Sequence, residues 1–537
     1  MVDLLITGGT VVDGTGKPGF VGDVAVHDGK IIAVSPKLTT EARRVFSAAG
    51  RTVIPGLIDP HVHEEYVCLV DGDMELFLRQ GVTTTLNCNC GHSLFGAPTA
   101  KAIEYYWNNG LFSGEQAKRY EGRFPGWTDF AGYAAYWRQC GSNINMAMLQ
   151  GHGTIRWSVM GGAFDRKPMP DEKKRIDAIL RRDMEQGAWG VSFGLDYVPS
   201  RYADAEELCG TISVIKAYDG VAAAHLRHKI GIKESVDEFI RVGRRTGARI
   251  QMSHLTPRYP EAFEAIEAAA KGGMPIAVDT IPYSTGHLTR KDRLLQFIMA
   301  VSDSLFAQGV EGVKAALHTP EGRRTVLKDC YMLPKDRDTL FIVNSDVTAY
   351  ENRSLLSIAT EKGVDPDELV LDLLGDDKQY TFWLGGPSRA DFPVHGHDER
   401  IINNPYVCVG SDELMSDPED PACWYELQRR GAFPLFMRMY RNAGIRAEEI
   451  IRRNTSMIAD HLGFAGRGRI AVGNWADLAV IDLPNYSFPS VAEIDYRNPN
   501  TMATGVDAVL VNGAFALEDG KVVPARSGRL LLRAEQY

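Results

Sequence analysis

Short apolar runs of strand length alternate with longer stretches of helical period through most of the chain. Eight runs read as buried strands: VIPGLIDPHVH (53–63), VTTTLNCNC (82–90), INMAMLQGH (144–152), GAWGVSFGL (187–195), GVAAAHL (220–226), ARIQMSHL (248–255), MPIAVDTIPY (274–283) and PYVCVGSDE (405–413). Amphipathic stretches such as ESVDEFIRVGRRTG and EAFEAIEAAAKGG lie between some of them and end on glycine, as helices do. Strands alternating with helices predict a parallel sheet, and eight such units predict a (β/α)8 TIM-like barrel. The interval 284–404 is too long for one unit. It predicts an insertion over the barrel mouth, where long insertions act as lids or specificity elements.

The two ends have a different texture. DLLITGGTVVDGTG and DVAVHDGKIIAV near the start, and DLAVIDL and AVLVNGAFALEDGKVV near the end, are β-branched runs broken by Gly, Asp-Gly and Asn-Gly turns. These are hairpin signals. They predict one small β-sandwich domain assembled from residues 1–52 and 466–537, with the catalytic barrel, 53–465, inserted between its halves.

Composition narrows the class of protein. A chain of 537 residues with 44% hydrophobic and 24% charged residues is ordinary for a globular enzyme. The net charge of −10 and the lack of a Lys/Arg-rich run argue against nucleic acid or an anionic membrane as a partner. No apolar run reaches the ~20 residues of a transmembrane helix. The start, MVDLLITGGTVVDG, has no basic leader and reads as a strand and turn. Eight cysteines in a long chain without an export signal point to a reducing, cytoplasmic setting rather than a disulfide framework.

Nearly every predicted strand ends in a residue able to bind a metal or move a proton. Strand one ends in His61 and His63, strand two in Cys90, strand five in His225, strand six in His254 and strand eight in Asp412. In a (β/α)8 barrel the C-terminal strand ends form the active site, so these six side chains are expected at one mouth. Each has a bland reading alone: a hydrogen-bonded histidine, a small buried thiol, a carboxylate capping a turn. Together, four imidazoles, one thiolate and one carboxylate have no common structural explanation. Imidazole and thiolate favour zinc over calcium or magnesium. A zinc-activated water with a carboxylate beside it describes metal-assisted hydrolysis of a C–N bond. In LNCNCGHSL, strand alternation puts Cys88 and Cys90 on the same side, with Cys90 as the ligand and Cys88 packed one layer deeper. His92 falls in the following loop, facing substrate or solvent.

The same segments carry a resemblance. VIPGLIDPHVH, GVTTTLNCNCGHSL, GHGTIRW, GAWGVSFGLDY, AAAHLRH, MSHL, DTIPY, VGSDE, GAFP and the terminal GRGRIAVGNWADLAVID resemble the amidohydrolase superfamily. Within it they resemble the N-acyl-D-amino-acid deacylases, the D-aminoacylases. The cysteine of NCG is the most specific mark, and the absence of a lysine from the end of strand four, SFGL, agrees with it. The resemblance implies that Cys90, His225 and His254 hold a tightly bound zinc. It implies that His61 and His63 serve a second, weaker site that Cys90 can share. Asp412 would be general base and then general acid. Tyr197 and Tyr283 would line the substrate pocket, and His152 would stand at the end of strand three, facing the mouth. The implied partner is a small N-acyl or amide substrate; a homo-oligomer is compatible with the sequence.

Some positions depart from the family pattern. A lysine and an arginine that grip the substrate carboxylate are replaced by Thr256 and Gln428, with Arg429 and Arg430 adjacent. HLRHKIGIKE has His228 and Lys229 where relatives carry an acidic residue, and VHGHDER places His395 and His397 near the predicted mouth. A hydrolase of cyclic amides such as hydantoins or imides is the alternative. A deaminase of the same superfamily and a non-catalytic scaffold of the same fold are further readings.

Overall fold

The chain is seen in a computed structural model that describes all residues except 113, 121, 162–164, 256–258, 282–286, 331–332, 385–397, 415–429, 490–492, 494–500 and 537. It is a mixed α/β protein.

Nine strands from the two ends of the chain form one sheet. Val2–Val11, Phe20–His27, Lys30–Ser35, Ala42–Ser47 and Thr52–Pro55 come from the start; Leu478–Ile481, Val506–Val511, Ala514–Glu518 and Lys521–Val522 come from the end. The halves meet where Thr52–Pro55 pairs antiparallel with Leu478–Ile481, Pro55 opposite Leu478 and Thr52 opposite Ile481. Three hairpins turn on Asp28-Gly29, Asn512-Gly513 and Asp519-Gly520, and all six residues have positive φ. That is the two-residue turn whose twist matches the flanking strands. Leu4, Ile6, Val24, Val53, Leu478 and Leu510 share the core of this sheet.

The central strands pair in parallel and in sequence order. Leu57–Asp59, Val82–Asn87 and Asn145–Met148 form one sheet. Gln150–Gly151, Gly190–Gly194, Val221–His225, Arg249–Met252, Ile276–Thr280 and Val407–Val409 form another. Only Leu149 separates the last strand of the first sheet from the first strand of the second. Val62–His63, just after the first strand, pairs in parallel with Glu413–Leu414, just after the last. Almost every residue of these strands is buried, which explains their continuous apolar runs: a parallel sheet is covered on both faces. Helices Ala205–Lys216, Ile232–Thr246 and Pro260–Lys271 follow their strands and pack side by side. The first is capped by Asp204, whose side chain accepts from Glu207 N at 2.9 Å.

Within 284–404 the chain builds a unit of its own. His287–Arg290, Tyr380–Leu384, Leu340–Ser345 and Arg353–Ser354 form an antiparallel sheet in that order. Helices Lys291–Val301, Gly309–Ala316, Pro320–Asp329, Leu355–Lys362 and Pro366–Gly375 accompany it. Leu294, Ile298, Val313, Ile342, Leu373 and Phe382 belong to a hydrophobic core separate from the main one.

The structure corrects three boundaries. The run 53–63 is not one strand: Val53 pairs with Val11 and Val480 in the terminal sheet, and the parallel strand starts at Leu57. The chain passes between sheets at Gly56, where a Cβ would lie 2.1 Å from Thr83 Oγ1. Strand two stops at Asn87, so strand alternation does not govern Cys88 and Cys90. Strand three stops at Gly151, and His152 opens the helix His152–Met160. In each case an apolar run continues across a junction that only hydrogen bonding defines.

Candidate metal centre

The imidazoles converge on Cys90. Its Sγ lies 3.4 Å from His61 Nε2 and 3.5 Å from His254 Nε2, and His254 Nε2 lies 2.8 Å from His225 Nδ1. Asp412 Oδ1 lies 3.4 Å from His61 Nε2 and 3.3 Å from His63 Nε2. His61 therefore touches both groupings, His61–Cys90–His254 and His61–His63–Asp412. His61, His63, Cys90 and His225 are buried, and Asp412 keeps 13% of its side chain exposed.

The backbone makes this meeting by leaving the strands abruptly. Cys90, His254 and Asp412 have φ of 53°, 36° and 53°, in the left-handed region that residues with a Cβ rarely adopt. Each such residue costs on the order of 1–3 kcal/mol, and such residues cluster at active sites. Cys88, with φ 63°, turns away from the site: its thiol lies 3.9 Å from Met148 Sδ in the main core. Burial pushes that thiol well above its ordinary pKa, so Cys88 is a neutral packing residue.

Acidic side chains that sequence reading missed hold the imidazoles in place. Asp279 Oδ1 accepts from His254 N at 2.7 Å and lies 3.5 Å from His61 Nδ1, while its Oδ2 accepts from Gln251 Nε2 at 2.7 Å. Asp59 Oδ1 accepts from the backbone of His61 (3.1 Å) and Ser411 (3.2 Å), tying the first strand to the last. Asp196 Oδ2 lies 3.3 Å from His225 Nε2 and 3.4 Å from His228 Nδ1. The available signal was an acid inside or directly after an apolar strand: LID, AVDT and SFGLD.

Charge is organised around the same point. Burial opposes a charge on Cys90, yet the facing His61, His225 and His254 hold its thiol well below the ordinary value. Burial also opposes charge on His63 and His225. Asp412 and Cys90 nevertheless raise His63 to about 9, and Asp196 and Cys90 raise His225 to about 9. These protons occupy the electron pairs that a metal ion would use. The donor set fits such an ion. Around a tetrahedral zinc, with Zn–N of about 2.0–2.1 Å and Zn–S of about 2.3 Å, ligand atoms lie roughly 3.3–3.7 Å apart. The two Sγ···Nε2 separations fall in that range, whereas the 2.8 Å between His225 Nδ1 and His254 Nε2 is shorter than two nitrogens on one such ion would stand apart.

The other predicted positions divide. Tyr197 is beside the cluster, its Oη 3.2 Å from His225 Nδ1 and its ring 4.5 Å from the His225 ring. His152 is fully buried; Nδ1 lies 2.9 Å from Ser200 Oγ and Nε2 3.3 Å from Glu207 Oε1, so neighbours engage both ring nitrogens. Tyr283, Thr256, Gln428, Arg429, His395 and His397 lie outside the described residues. Arg430 is buried with Nε 4.0 Å from Glu413 Oε1. The Lys229 ammonium donates to Val301 O at 2.6 Å.

No protein-family model matches the chain. Among curated proteins, the D-aminoacylase of Alcaligenes xylosoxydans xylosoxydans is 27% identical over 547 residues, 99% of this chain and 98% of its own. A solved D-aminoacylase with a binuclear metal centre, activated by one metal and attenuated by the second, superposes with TM-score 0.73 at 26% identity, covering 99% of this chain and 100% of that one. The N-acyl-D-glutamate deacylase of Bordetella bronchiseptica, solved with zinc and a phosphonate mimic of the tetrahedral intermediate, gives 0.72 at 26%, covering 99% of each chain.

Proposed function

We propose that this chain, similar over 99% of its residues to a D-aminoacylase of the amidohydrolase superfamily, is a metal-dependent hydrolase that cleaves the amide C–N bond of an N-acylated, D-amino-acid-like small molecule. The observation that carries this reading is the convergence of a cysteine and imidazoles from separate strand ends beside Asp412.

The fold supports it. Parallel strands in sequence order from Leu57 on, the first and last rejoined through Val62–His63 and Glu413–Leu414, support a (β/α)8 barrel. The nine-stranded sheet built from strands within 2–55 and 478–522 supports a terminal β-domain, and the separate core within 284–404 supports an insertion. Among the described residues no helix is long and apolar enough to cross a membrane.

Cys90, His225 and His254 would hold the first ion, and His61 and His63, sharing Cys90, a second. Zinc suits this mix of thiolate and imidazole, and zinc is the metal in the Bordetella deacylase. An ion bound there supplies a Lewis acid for the scissile carbonyl and lowers the pKa of a water. The chain's own contribution to the proton path is Asp412, which takes the proton of the attacking water and delivers it to the leaving nitrogen. Asp412 lies beside the His61 and His63 nitrogens that a second ion would take, so it stands next to that site. Tyr197 and Tyr283 contact substrate, and His152, locked to Ser200 and Glu207, shapes the wall behind.

The test is a substrate panel on zinc-loaded protein: N-acyl-D-amino acids, their amides, and cyclic imides. Hydrolysis of N-acyl-D-amino acids or amides is expected, lost on chelation and restored by zinc. No turnover of any open-chain N-acyl substrate would sink the reading, and a preference for cyclic imides would move the chain to the alternative.

Asp196 is a positioning residue in this scheme. A carboxylate against the far nitrogen of a ligating histidine fixes its ring and its tautomer, and removing such a partner costs roughly 10–100-fold in metal affinity. Asp196→Asn should weaken zinc binding by about that factor in competition with a chelator. Unchanged affinity would confine Asp196 to holding the loop at His228 and Lys229.

A further inference from the structure

The helix Lys291–Val301 belongs to the unit within 284–404, yet its last turn is completed by side chains from loops of the central strands. A helix leaves its last four carbonyls without partners of its own. Here Ser302 N donates to two of them, Ile298 O and Met299 O, both at 3.2 Å. Arg201 Nη1 donates to the third, Ala300 O, at 3.3 Å, and Lys229 Nζ to the fourth, Val301 O, at 2.6 Å. Arg201 is 8% exposed, and its Nη2 pairs with Asp303, just past the helix end. Two cations at a helix C-terminus also match the negative end of its dipole. The opposite end of the helix is tied down as well: buried Arg293 donates to Gly110 O and to Gln116 Oε1, both at 2.5 Å.

The two loops also serve the candidate metal centre. Asp196, in the loop with Arg201, stands behind His225, and Lys229 N approaches Asp196 Oδ1 at 3.5 Å. Arg201 N donates to Tyr197 O at 2.8 Å, so the residue that takes the helix end also closes the turn carrying Tyr197. The helix brings Phe297 to the same place. Its ring stands edge-on to that of Tyr197, centroids 6.4 Å apart at 79°. Phe297 and Tyr197 are both only half-buried, although Gln296 and Ile298 on either side of Phe297 are buried. Two aromatic rings left partly open beside His225 are the kind of lining that small-molecule sites use.

We propose that Arg201 and Lys229 are positioning residues that seat the helix Lys291–Val301 by its last carbonyls, and so hold Phe297 against Tyr197 as one wall of the substrate site. The inference rests on the hydrolase reading above and concerns how its substrate is held. It also gives the cation at 229 a use, because a carboxylate there would face Val301 O with the wrong sign.

Two measurements test it. Hydrogen exchange on zinc-loaded protein needs no substrate. Lys229→Met, at an exposed position, should speed exchange of the backbone amides of 298–302 about twofold or more, and Arg201→Met about fivefold or more, with zinc content unchanged. Unchanged protection in either variant overturns the seating. The kinetic test uses the best open-chain N-acyl substrate of the panel. Arg201→Met should raise KM about fivefold or more and leave kcat within about twofold, since a wall contacts ground state and transition state alike. If Arg201 acts through Phe297, the double variant Arg201→Met/Phe297→Ala should match Phe297→Ala in kcat/KM within about twofold. A wild-type KM in Arg201→Met, a loss confined to kcat, or losses that simply add in the double variant would overturn the positioning role. Should Arg201→Met not fold, Lys229→Met with Phe297→Ala runs the same cycle from the exposed position. Absence of turnover on every open-chain substrate would remove the hydrolase reading and the wall with it, while hydrogen exchange would still decide the seating.

Discussion

Asp412→Asn is expected to lower kcat by about 10²–10⁴-fold, the usual contribution of a positioned general acid–base group, while leaving bound zinc in place. The substitution is nearly isosteric. It also suits the backbone, because asparagine tolerates the left-handed conformation that Asp412 adopts at φ 53°. The main-chain bond from Asp412 N to His61 O, 2.8 Å, does not depend on the side chain. What changes is the ability to take a proton from the attacking water: an amide has no basic oxygen. Metal analysis and steady-state kinetics on the same preparation separate the two effects. Retained turnover would remove Asp412 from the proton path, and loss of zinc would make it a structural ligand instead.

The second large effect is expected at Cys90. Cys90→Ser should leave less than about a tenth of the zinc bound after dialysis against a weak chelator, and turnover should fall in parallel. A thiol can be deprotonated by its surroundings and by the metal, and thiolate is the soft ligand that zinc prefers. A serine hydroxyl keeps its proton near neutral pH and offers only a hard oxygen. The imidazoles around it lose the anion that now attracts them: His61 and His254 lie 3.4 and 3.5 Å from Sγ. Serine nearly preserves the volume, so circular dichroism and the unfolding midpoint should remain close to wild type. Full zinc retention would shift the binding burden to the histidines and Asp412. Unfolding would show that the site organises the surrounding fold.

Much of this was legible along the chain. The alternation of buried runs and amphipathic stretches marks parallel strands with helical crossovers, because a parallel sheet buries both faces and its strands read as continuous apolar runs. The Asp-Gly and Asn-Gly pairs mark the terminal hairpins, because turns with both φ values positive favour those residues. The chemically able residues stand out because His61, His63, Cys90, His225, His254 and Asp412 each follow an apolar run. Cys88 shows the limit of that logic. Period-two alternation placed it beside Cys90, but the strand ends at Asn87, and left-handed residues at 88 and 90 send the two thiols to different surroundings.

The sequence by itself determined the order of elements, the turn types and the inventory of ligands, since these depend on local periodicity and on side-chain chemistry. Only the tertiary structure decided where the chain crosses from the terminal sheet to the parallel strands at Gly56, and which acids stand behind the imidazoles. It alone brought the left-handed exits at Cys90, His254 and Asp412 together. Those features depend on contacts between residues tens to hundreds of positions apart, Asp59 with Ser411 and Asp279 with His61 among them. No local pattern carries such pairings. They exist only once the strands have closed on one another and water has been excluded from the space between them.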